Sequence, residues 1–178
     1  SHISGNHAVA SCIVYTNEGP SKKEYRTFNI PKEISGNDVG SLEHVIQRRI
    51  KYYENKEIKP DLILIDGGKN QLNFSHAVIE NSGHADIKVI SIVKGVNRIR
   101  ATETVLSKDG IIEFNKDSKG YLLLQEIRDE SHRFVINTQR KKKNAKNRKS
   151  QLDNIQWIGA VLKRRLLTKF KSLKNIKS

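Results

Sequence analysis

A continuous apolar run that stops on a carboxylate constrains the fold of this chain more than any other feature of its sequence. Residues 62–65 (LILI) have the length and composition of a strand buried on both faces. Asp66, Gly67 and Gly68 follow directly. In open α/β sheets, ligands bind beyond the carboxyl ends of the strands, so Asp66 is a candidate ligand for a metal ion or a phosphate. The alternative is that Asp66 caps the next helix.

The rest of the pattern alternates strands with helices and predicts an α/β fold with a mixed sheet. Apolar alternation and turn residues indicate strands at 8–15, 24–30 and 87–93 and a hairpin across 103–114. Apolar residues at helical spacing predict helices at 42–53, at 70–81, and from Lys119 to about Asn137 with Ser118 as its cap. Residues 31–40 are expected to form a loop. This order fits several folds, among them the ribonuclease H-like nuclease fold.

The basic charge is confined to the C-terminal part of the chain. From residue 133 onwards, fifteen Lys and Arg face one acid, Asp153, which accounts for the whole net charge of +14. Such asymmetry favours nucleic acid as a partner over a merely solubilising tail. Residues 139–150 hold seven cations, no acid and no large apolar residue, so we expect a mobile or DNA-ordered basic linker at 139–151. It would join a first domain at 1–138 to a small unit at 152–178.

Composition excludes several other classes of protein. A single cysteine, Cys12, allows no disulfide framework within the chain and fits a reducing cytoplasm. The longest apolar runs are far shorter than the roughly 20 residues of a membrane span, and no signal peptide pattern is present. We therefore expect a cytoplasmic protein with no membrane partner. The chain contains no methionine, even at position 1, so we expect a fragment or a processed product.

Phosphodiester cleavage with a hard divalent cation requires ligands from different elements that meet at one edge of a sheet. Asp38 is a second acidic candidate beside Asp66, although a helix cap is the alternative for it. His132 is a candidate ligand or proton carrier, or else an ordinary surface residue. Lys69, three residues after Asp66, is a candidate for contacting a phosphate oxygen or positioning the attacking water.

The charged residues around His132 have a simpler interpretation. Asp129 and Glu130 are expected to be helix-surface charges paired with Arg128 or Arg133.

Three rival functions lack their sequence signals. A P-loop requires Gly-x-x-x-x-Gly-Lys-Ser/Thr, and Gly67-Gly68-Lys69-Asn70 lacks both the first spacing and the hydroxyl. One cysteine and scattered histidines give no zinc-ligand spacing. A receiver domain with Asp66 as phosphoacceptor needs an acidic pair after an earlier strand, and Thr16, Asn17 and Glu18 do not supply one.

Several runs of the chain together resemble the C-terminal half of the UvrC family of bacterial nucleotide excision repair, nearly from end to end. The most specific are Ile-Asp-Gly-Gly-Lys at 65–69, followed by Gln71, and Arg-Asp-Glu-Ser-His-Arg-Phe at 128–134. Further matching runs lie at 1–3, 9–12, 19–20, 24–26, 28–30, 60–64, 94–95, 102–104 and 140–142.

The resemblance implies a ribonuclease H-like endonuclease followed by a small all-α helix-hairpin-helix unit that binds DNA. It implies an excinuclease that uses Mg²⁺ or Mn²⁺ to incise damaged double-stranded DNA 5′ to a lesion, with UvrB as partner and UvrA acting indirectly. Asp66 and His132 match metal-site positions, and Asp38 and Lys69 match further active-site positions. Candidate DNA-binding residues are Arg140, Lys141, Lys142, Lys143, Gly159, Lys163 and Arg164.

The chain departs from the family pattern in three places. The first catalytic aspartate of the family would lie two residues before Ser1, which leaves open a catalytically incomplete DNA-binding remnant. The hairpin pattern Gly-Val-Gly-Pro reads Trp157-Ile158-Gly159-Ala160, and a second helix-hairpin-helix element is missing. The regions that bind UvrB in the family fall outside this chain.

Overall fold

The computed structural model describes residues 9–94, 103–153 and 159–170. The strands of this part are β1 (Val9–Cys12), β2 (Tyr15–Thr16), β3 (Gly19–Pro20), β4 (Arg26–Asn29), β5 (Leu62–Asp66), β6 (Lys88–Lys94), β7 (Glu103–Ser107) and β8 (Gly110–Ile112). The helices are α1 (Asp38–Glu54), α2 (Lys69–Asn81), α3 (Lys119–Asp153) and α4 (Ala160–Phe170). The chain divides into two compact units, Ser1–Phe134 and Val135–Ser178.

A four-stranded mixed sheet with the order β5-β6-β7-β8 organises the first unit. The strands β5 and β6 are parallel and are connected through α2, and their register places Asp66 opposite Ile92. Antiparallel pairing then adds β7 and the short strand β8. The turn between β7 and β8 ends at Gly110, whose φ of 135° is a conformation that favours glycine. This arrangement confirms the predicted α/β class with a mixed sheet flanked by helices.

Apolar residues of β5 and β6 alternate between the two faces of the sheet, and each face is covered by helix. On one face, Ile65 and Val89 pack with buried residues of α1 and α2, including Leu72. On the other face, Ile92 packs with the first turns of α3. Residues 63–65 of the apolar run therefore pack on both faces, as expected for a parallel strand, whereas Leu62 is 41% exposed.

The strands β1 and β4 form a separate antiparallel pair in the described part of the chain. Phe28 and Ile30 from this region pack with Val45 of α1. Because Val45 adjoins Ile46, which belongs to the core beneath the sheet, α1 joins the strand pair to the sheet. The predicted strand at 8–15 is shorter than expected, and Tyr15 belongs to β2 instead.

The predicted loop at 31–40 is only partly a loop. A short 3-10 turn covers Lys32–Ile34, and α1 begins at Asp38 because Asn37 caps it. The side chain of Asn37 accepts hydrogen bonds from the backbone N–H groups of Val39 and Gly40 at 3.1 and 3.0 Å. The apolar periodicity begins only at Leu42, so it does not indicate an N-cap at Asn37.

The helix α3 is much longer than predicted. The expected cap is confirmed, since the Ser118 Oγ accepts a hydrogen bond from the Tyr121 N–H at 3.3 Å. The expected end near Asn137 is wrong, because the helix continues through 139–150 to Asp153. Lys, Arg, Gln and Ala are good helix formers, and neither Gly nor Pro occurs between Gly120 and Gly159. Clustered charge alone therefore does not break this helix.

No helix in the described part of the chain is long and apolar enough to cross a membrane. Residues 1–8 and the Trp157-Ile158 half of the predicted hairpin lie outside the described residues. The helix-hairpin-helix assignment and the division into residues 1–138, 139–151 and 152–178 remain predictions.

Leu72 is completely buried between α2 and the sheet. We expect Leu72→Ala to lower the free energy of unfolding by about 2–5 kcal/mol, because it removes apolar contacts and leaves a cavity. Leu122→Ala, at a half-exposed position on α3, is the matched control and should cost far less. Urea unfolding of both variants measures the difference, and equal losses would contradict the assigned core.

Candidate active site

Asp66 is the last residue of β5, and its position rules out the capping alternative. The N-cap of α2 is Gly68, and no side chain forms a cap hydrogen bond there. The neighbouring residue Ile65 is buried, whereas the Asp66 side chain is 44% exposed. The end of a buried strand therefore presents a carboxylate to solvent, at the sheet edge where α/β proteins bind ligands.

His132 of α3 meets Asp66 directly. The distance from His132 Nε2 to Asp66 Oδ2 is 2.7 Å, which is a short hydrogen bond. An ionised carboxylate only accepts hydrogen bonds, so the imidazole donates from Nε2. The histidine side chain is 52% exposed. Two sequence candidates that are 66 positions apart thus form one polar pair open to solvent.

The position of His132 depends on how α3 is anchored to the sheet. Arg128, one helical turn earlier, forms an ion pair with Glu103 of β7. The side chains of Arg128 and Glu103 are 19% and 5% exposed. The Tyr121 hydroxyl also donates a hydrogen bond to the Glu103 carbonyl at 3.2 Å. Because residues four apart share a face of a helix, the Arg128 anchor orients the face that carries His132.

A second set of contacts also anchors α3 near His132, and it involves Glu130, Arg133 and Phe134. The Arg133 guanidinium donates two hydrogen bonds of 2.5 Å to the Glu130 carboxylate. That carboxylate also accepts a hydrogen bond from the Tyr25 hydroxyl at 3.1 Å. The rings of Tyr25 and Phe134 meet edge to face, with centroids 5.1 Å apart. The expected pairing of Arg133 with Glu130 is confirmed, but the tertiary role of Tyr25 was missed.

These contacts shift the ionisation of both partners. Hydrogen bonding from Arg133 is the main cause that holds the pKa of Glu130 below its usual value of 4.5. Burial, followed by the hydrogen bond to Glu130, raises the pKa of Tyr25 to about 12. The expected pairing of Asp129 is also confirmed, because Arg128 Nη2 lies 2.8 Å from its carboxylate.

Lys69 is the first residue of α2 and is exposed. A cation at this end of a helix opposes the helix dipole, and the first turn contains no acid to offset it. Such local conflicts are concentrated at functional sites, and an anion bound near the uncapped N–H groups would relieve this one. The helix end that carries Lys69, three residues after Asp66, is therefore suited to binding a phosphate.

Asp38 is exposed in the first turn of α1, directly after the cap residue Asn37. Its expected alternative role as the helix cap is thus wrong, since Asn37 performs it. A carboxylate in the first turn favours the helix through its dipole. Asp38 forms an interaction of its own in the structure, and its assignment to the active site stays a prediction.

Gln71, in the first turn of α2, belongs to a run that carries the family resemblance, but sequence reasoning assigned it no role in the site. Its side chain folds back over Gly67, directly after Asp66, and occupies the place where any larger residue would put its Cβ. The sequence signal was a glutamine at the third helical position after a glycine pair, a pattern associated with helix N-termini.

The candidate DNA-binding residues all belong to the second unit. Arg140, Lys141 and Lys142 are exposed on α3, and Arg164 is exposed on α4. Gly159 immediately precedes α4 and has open space around it. The side chains of Lys143 and Lys163 lie outside the described residues. The basic residues are therefore presented from helices, not from an irregular arm.

The chemistry of the donors at Asp66 fits a divalent cation with an incomplete protein shell. Among the described residues, no group of three or more His, Cys, Asp or Glu side chains is arranged to hold a metal ion. Asp66 Oδ1 has no hydrogen bond from the described part of the chain, so this oxygen remains available. Mg²⁺ is commonly held by one or two carboxylates, with water and substrate phosphates as the other ligands. Mn²⁺ likewise prefers carboxylate, carbonyl and water oxygens, and imidazole is the more usual ligand of softer transition metals.

Comparison with known proteins supports a common origin with one family. The model of the UvrC RNAse H endonuclease domain matches residues 1–136. The chain is 40% identical over 178 residues to the UvrABC system protein C of Nitrosococcus oceani, covering 99% of this chain and 29% of that protein. It is 38% identical to the proteins of the same name from Legionella pneumophila and Pseudomonas putida, again over 99% of this chain. The chain thus spans 29–30% of the length of these relatives.

The Glu130 contacts predict that stability is sensitive to acid. A carboxyl group with a lowered native pKa contributes stability above its unfolded pKa, and this contribution is lost as the pH falls through the native value. We expect Glu130→Gln to be less stable than the unchanged chain near pH 7, with the difference shrinking below pH about 4.5. Urea unfolding across this pH range measures it, with exposed Glu33→Gln as the control. A difference that is independent of pH would contradict the prediction.

Proposed function

The chain belongs to the UvrC family, and we propose that it is the metal-dependent endonuclease domain of a bacterial nucleotide excision repair protein. The observation that carries this proposal is the 2.7 Å contact between Asp66 and His132 at the carboxyl end of a buried strand. A carboxylate and an imidazole at one sheet edge, beside a helix end that carries Lys69, suit hydrolysis of a phosphodiester.

Asp66 would hold the cation, and His132 would either share it or serve proton transfer. When bound, Mg²⁺ or Mn²⁺ supplies activation of water and stabilisation of charge on the phosphate. The free oxygen Asp66 Oδ1 would be the first protein ligand in this arrangement, and Asp38 would be a further acidic residue of the proposed site.

His132 is suited to move the proton that hydrolysis displaces. In the proposed step, a water oxygen attacks the phosphorus in line, the bond to the leaving oxygen breaks, and the water proton must be carried away. Asp66 fixes Nε2 of the imidazole, so Nδ1 is the nitrogen that can exchange a proton with solvent. An imidazole can both accept and donate a proton, which suits it to both directions of transfer.

Lys69 would contact the substrate phosphate. A Lys ammonium acts as a compact point charge toward phosphate oxygens, and the uncapped N-terminus of α2 adds favourable backbone dipoles. This interaction offsets the unfavourable position of the cation on its own helix.

The second unit would bind the DNA backbone. Exposed Arg140, Lys141, Lys142 and Arg164 neutralise phosphates without reading sequence. We also propose that Lys143, Gly159 and Lys163 belong to this surface, as parts of a helix-hairpin-helix unit.

The names of the relatives indicate the wider assembly. We propose that the protein acts on damaged double-stranded DNA together with UvrB, which would bind regions outside this chain, and that UvrA takes part indirectly. The incision would fall 5′ to the lesion. A second candidate is a DNA-binding remnant without catalysis, and the absence of a third metal donor among the described residues favours it.

Nicking of supercoiled plasmid in Mn²⁺ tests the nuclease proposal. We expect the 178-residue chain, or a version extended upstream to include the family's first aspartate, to nick DNA and to lose this activity in EDTA. Asp66→Asn should abolish nicking, and His132→Ala should lower its rate about a hundredfold or more. Both variants should keep their DNA affinity, since neither residue belongs to the basic surface.

The control is Asp109→Asn, in the exposed turn between β7 and β8, which should nick normally. Binding without nicking by both lengths of chain, even with UvrA, UvrB and a duplex carrying one lesion, would favour the remnant. Cleavage by Asp66→Asn at the normal rate would refute the assigned site. With the lesion duplex, the mapped position of the cut tests the 5′ assignment.

Salt dependence of DNA binding tests the basic surface. We expect the combined change of Arg140, Lys141 and Lys142 to Gln to weaken binding and to reduce the slope of log K against log salt by about 0.9 for every phosphate that the variant no longer neutralises. The control changes Lys56, Lys108 and Lys116, three exposed lysines of the first unit, and removes the same charge. Equal slopes for the two triple variants would show that binding depends only on net charge.

A further inference from the structure

The side chain of Gln71 occupies space that exists only because residue 67 is glycine. A Cβ on Gly67 would collide with Gln71 Oε1 and would lie 2.7 Å from its Cδ. Gly67 is not among the described glycines that have a positive φ, so glycine is needed here for space and not for its backbone angles. The carboxamide is therefore held against the backbone that directly follows Asp66.

Helix capping does not explain this placement. Gln71 is the third residue of α2, the position from which a Gln can reach back to the N–H of the cap residue. No such hydrogen bond to Gly68 is formed, and no other group of the described chain is hydrogen-bonded to the Gln71 carboxamide. A half-buried amide that no described residue satisfies lies next to the proposed active site.

We propose that Gln71 is a substrate-positioning residue, whose carboxamide donates a hydrogen bond to a non-bridging oxygen of the DNA phosphodiester held at Asp66. This inference rests on the proposed nuclease function. A phosphate oxygen is the partner that the site lacks, and a neutral amide approaches Asp66 without competing for a cation. Lys69, on the same helical turn, would attract the phosphate by its charge, whereas Gln71 would orient it by a directional hydrogen bond.

Gln71→Glu separates this role from a structural one, because the two roles predict opposite results. Glu is at least as good as Gln in the first turn of a helix, so a capping role predicts preserved or improved stability and activity. A phosphate contact predicts that the new charge repels the substrate. We expect kcat/KM to fall about tenfold in Gln71→Ala and about a hundredfold in Gln71→Glu, with thermal stability kept in the latter. Asn17→Asp, which adds the same charge in the exposed turn between β2 and β3, is the control.

Gly67→Ala tests whether the placement of Gln71 is what matters. The new Cβ displaces the carboxamide, so this variant should lose activity about as much as Gln71→Ala. The double variant should lose no more than either single variant, because both act on one contact. The added methyl carbon would lie 3.2 Å from the Gln71 Cβ, so only a small adjustment is needed there. Multiplied losses in the double variant would show that Gly67 acts independently of Gln71.

Nuclear magnetic resonance provides a measurement that does not depend on cleavage. The side-chain NH₂ signals of Gln71, identified by their absence from the Gln71→Ala spectrum, should shift when a short DNA duplex is added in EDTA. The NH₂ signals of Gln47 serve as the internal reference and should stay in place.

The outcomes distinguish this proposal from the nuclease proposal. Unmoved Gln71 signals, while the backbone amides of Lys69 and Asn70 shift, would overturn the substrate contact whatever the activity. Full activity of Gln71→Glu would do the same. If the chain binds DNA with shifted Gln71 signals but never nicks, the contact stands and the nuclease function fails.

Discussion

The buried ion pair between Glu103 and Arg128 is the interaction on which the candidate site most depends. It joins β7 to α3 one helical turn before His132, so it fixes the rotation of the helix that carries the imidazole. Glu103 Oε2 and Arg128 Nε are both buried without a hydrogen-bond partner among the described residues. A pair satisfied this incompletely adds little net stability, because desolvation of both charges opposes their attraction. Its clearer consequence is geometric, since loss of either partner would leave a buried charge and free the helix to rotate.

The position of Asp66, by contrast, is fixed by apolar packing around the end of β5 and not by an ion pair. Ile65, Leu72 and Ile92 are buried around the end of β5 and the start of α2. Asp66 itself remains nearly half exposed. A rigid strand end with a solvent-facing acid allows the side chain to bind an ion without moving the backbone, which is the arrangement expected of a preorganised site. His132 meets it from α3, so the site forms only when the sheet and the helix are docked.

Local sequence pattern predicts part of this fold, and tertiary contacts decide the rest. The strand at 62–66 could be predicted because burial on both faces imposes an unbroken apolar run, and α2 because its apolar residues recur at helical spacing. The predicted end of α3 is wrong because clustered charge does not by itself end a helix, and the run contains only residues that are compatible with one. That Asp66 and His132 belong to one site could be predicted only from the family resemblance. No periodic pattern in the sequence specifies which strand end a distant helix residue will contact. Gln71 could not be predicted because its position depends on the space above a glycine, which exists only in the folded chain.

The first turn of α2 violates local rules in several ways at once. It has no side-chain cap, no acid, a lysine at the positive end of the helix dipole and a glutamine that does not cap. The missing cap costs stability that Ser or Asp at the N-cap would recover, and the lysine opposes the helix dipole. If the proposed nuclease function holds, a DNA phosphate resolves all of these conflicts together, because it accepts from the free N–H groups, pairs with Lys69 and satisfies Gln71. The oxygens of the same phosphate would fill coordination positions of the cation that Asp66 and His132 leave open. Under that proposal, cation binding and substrate binding would reinforce each other, because each supplies partners that the other lacks.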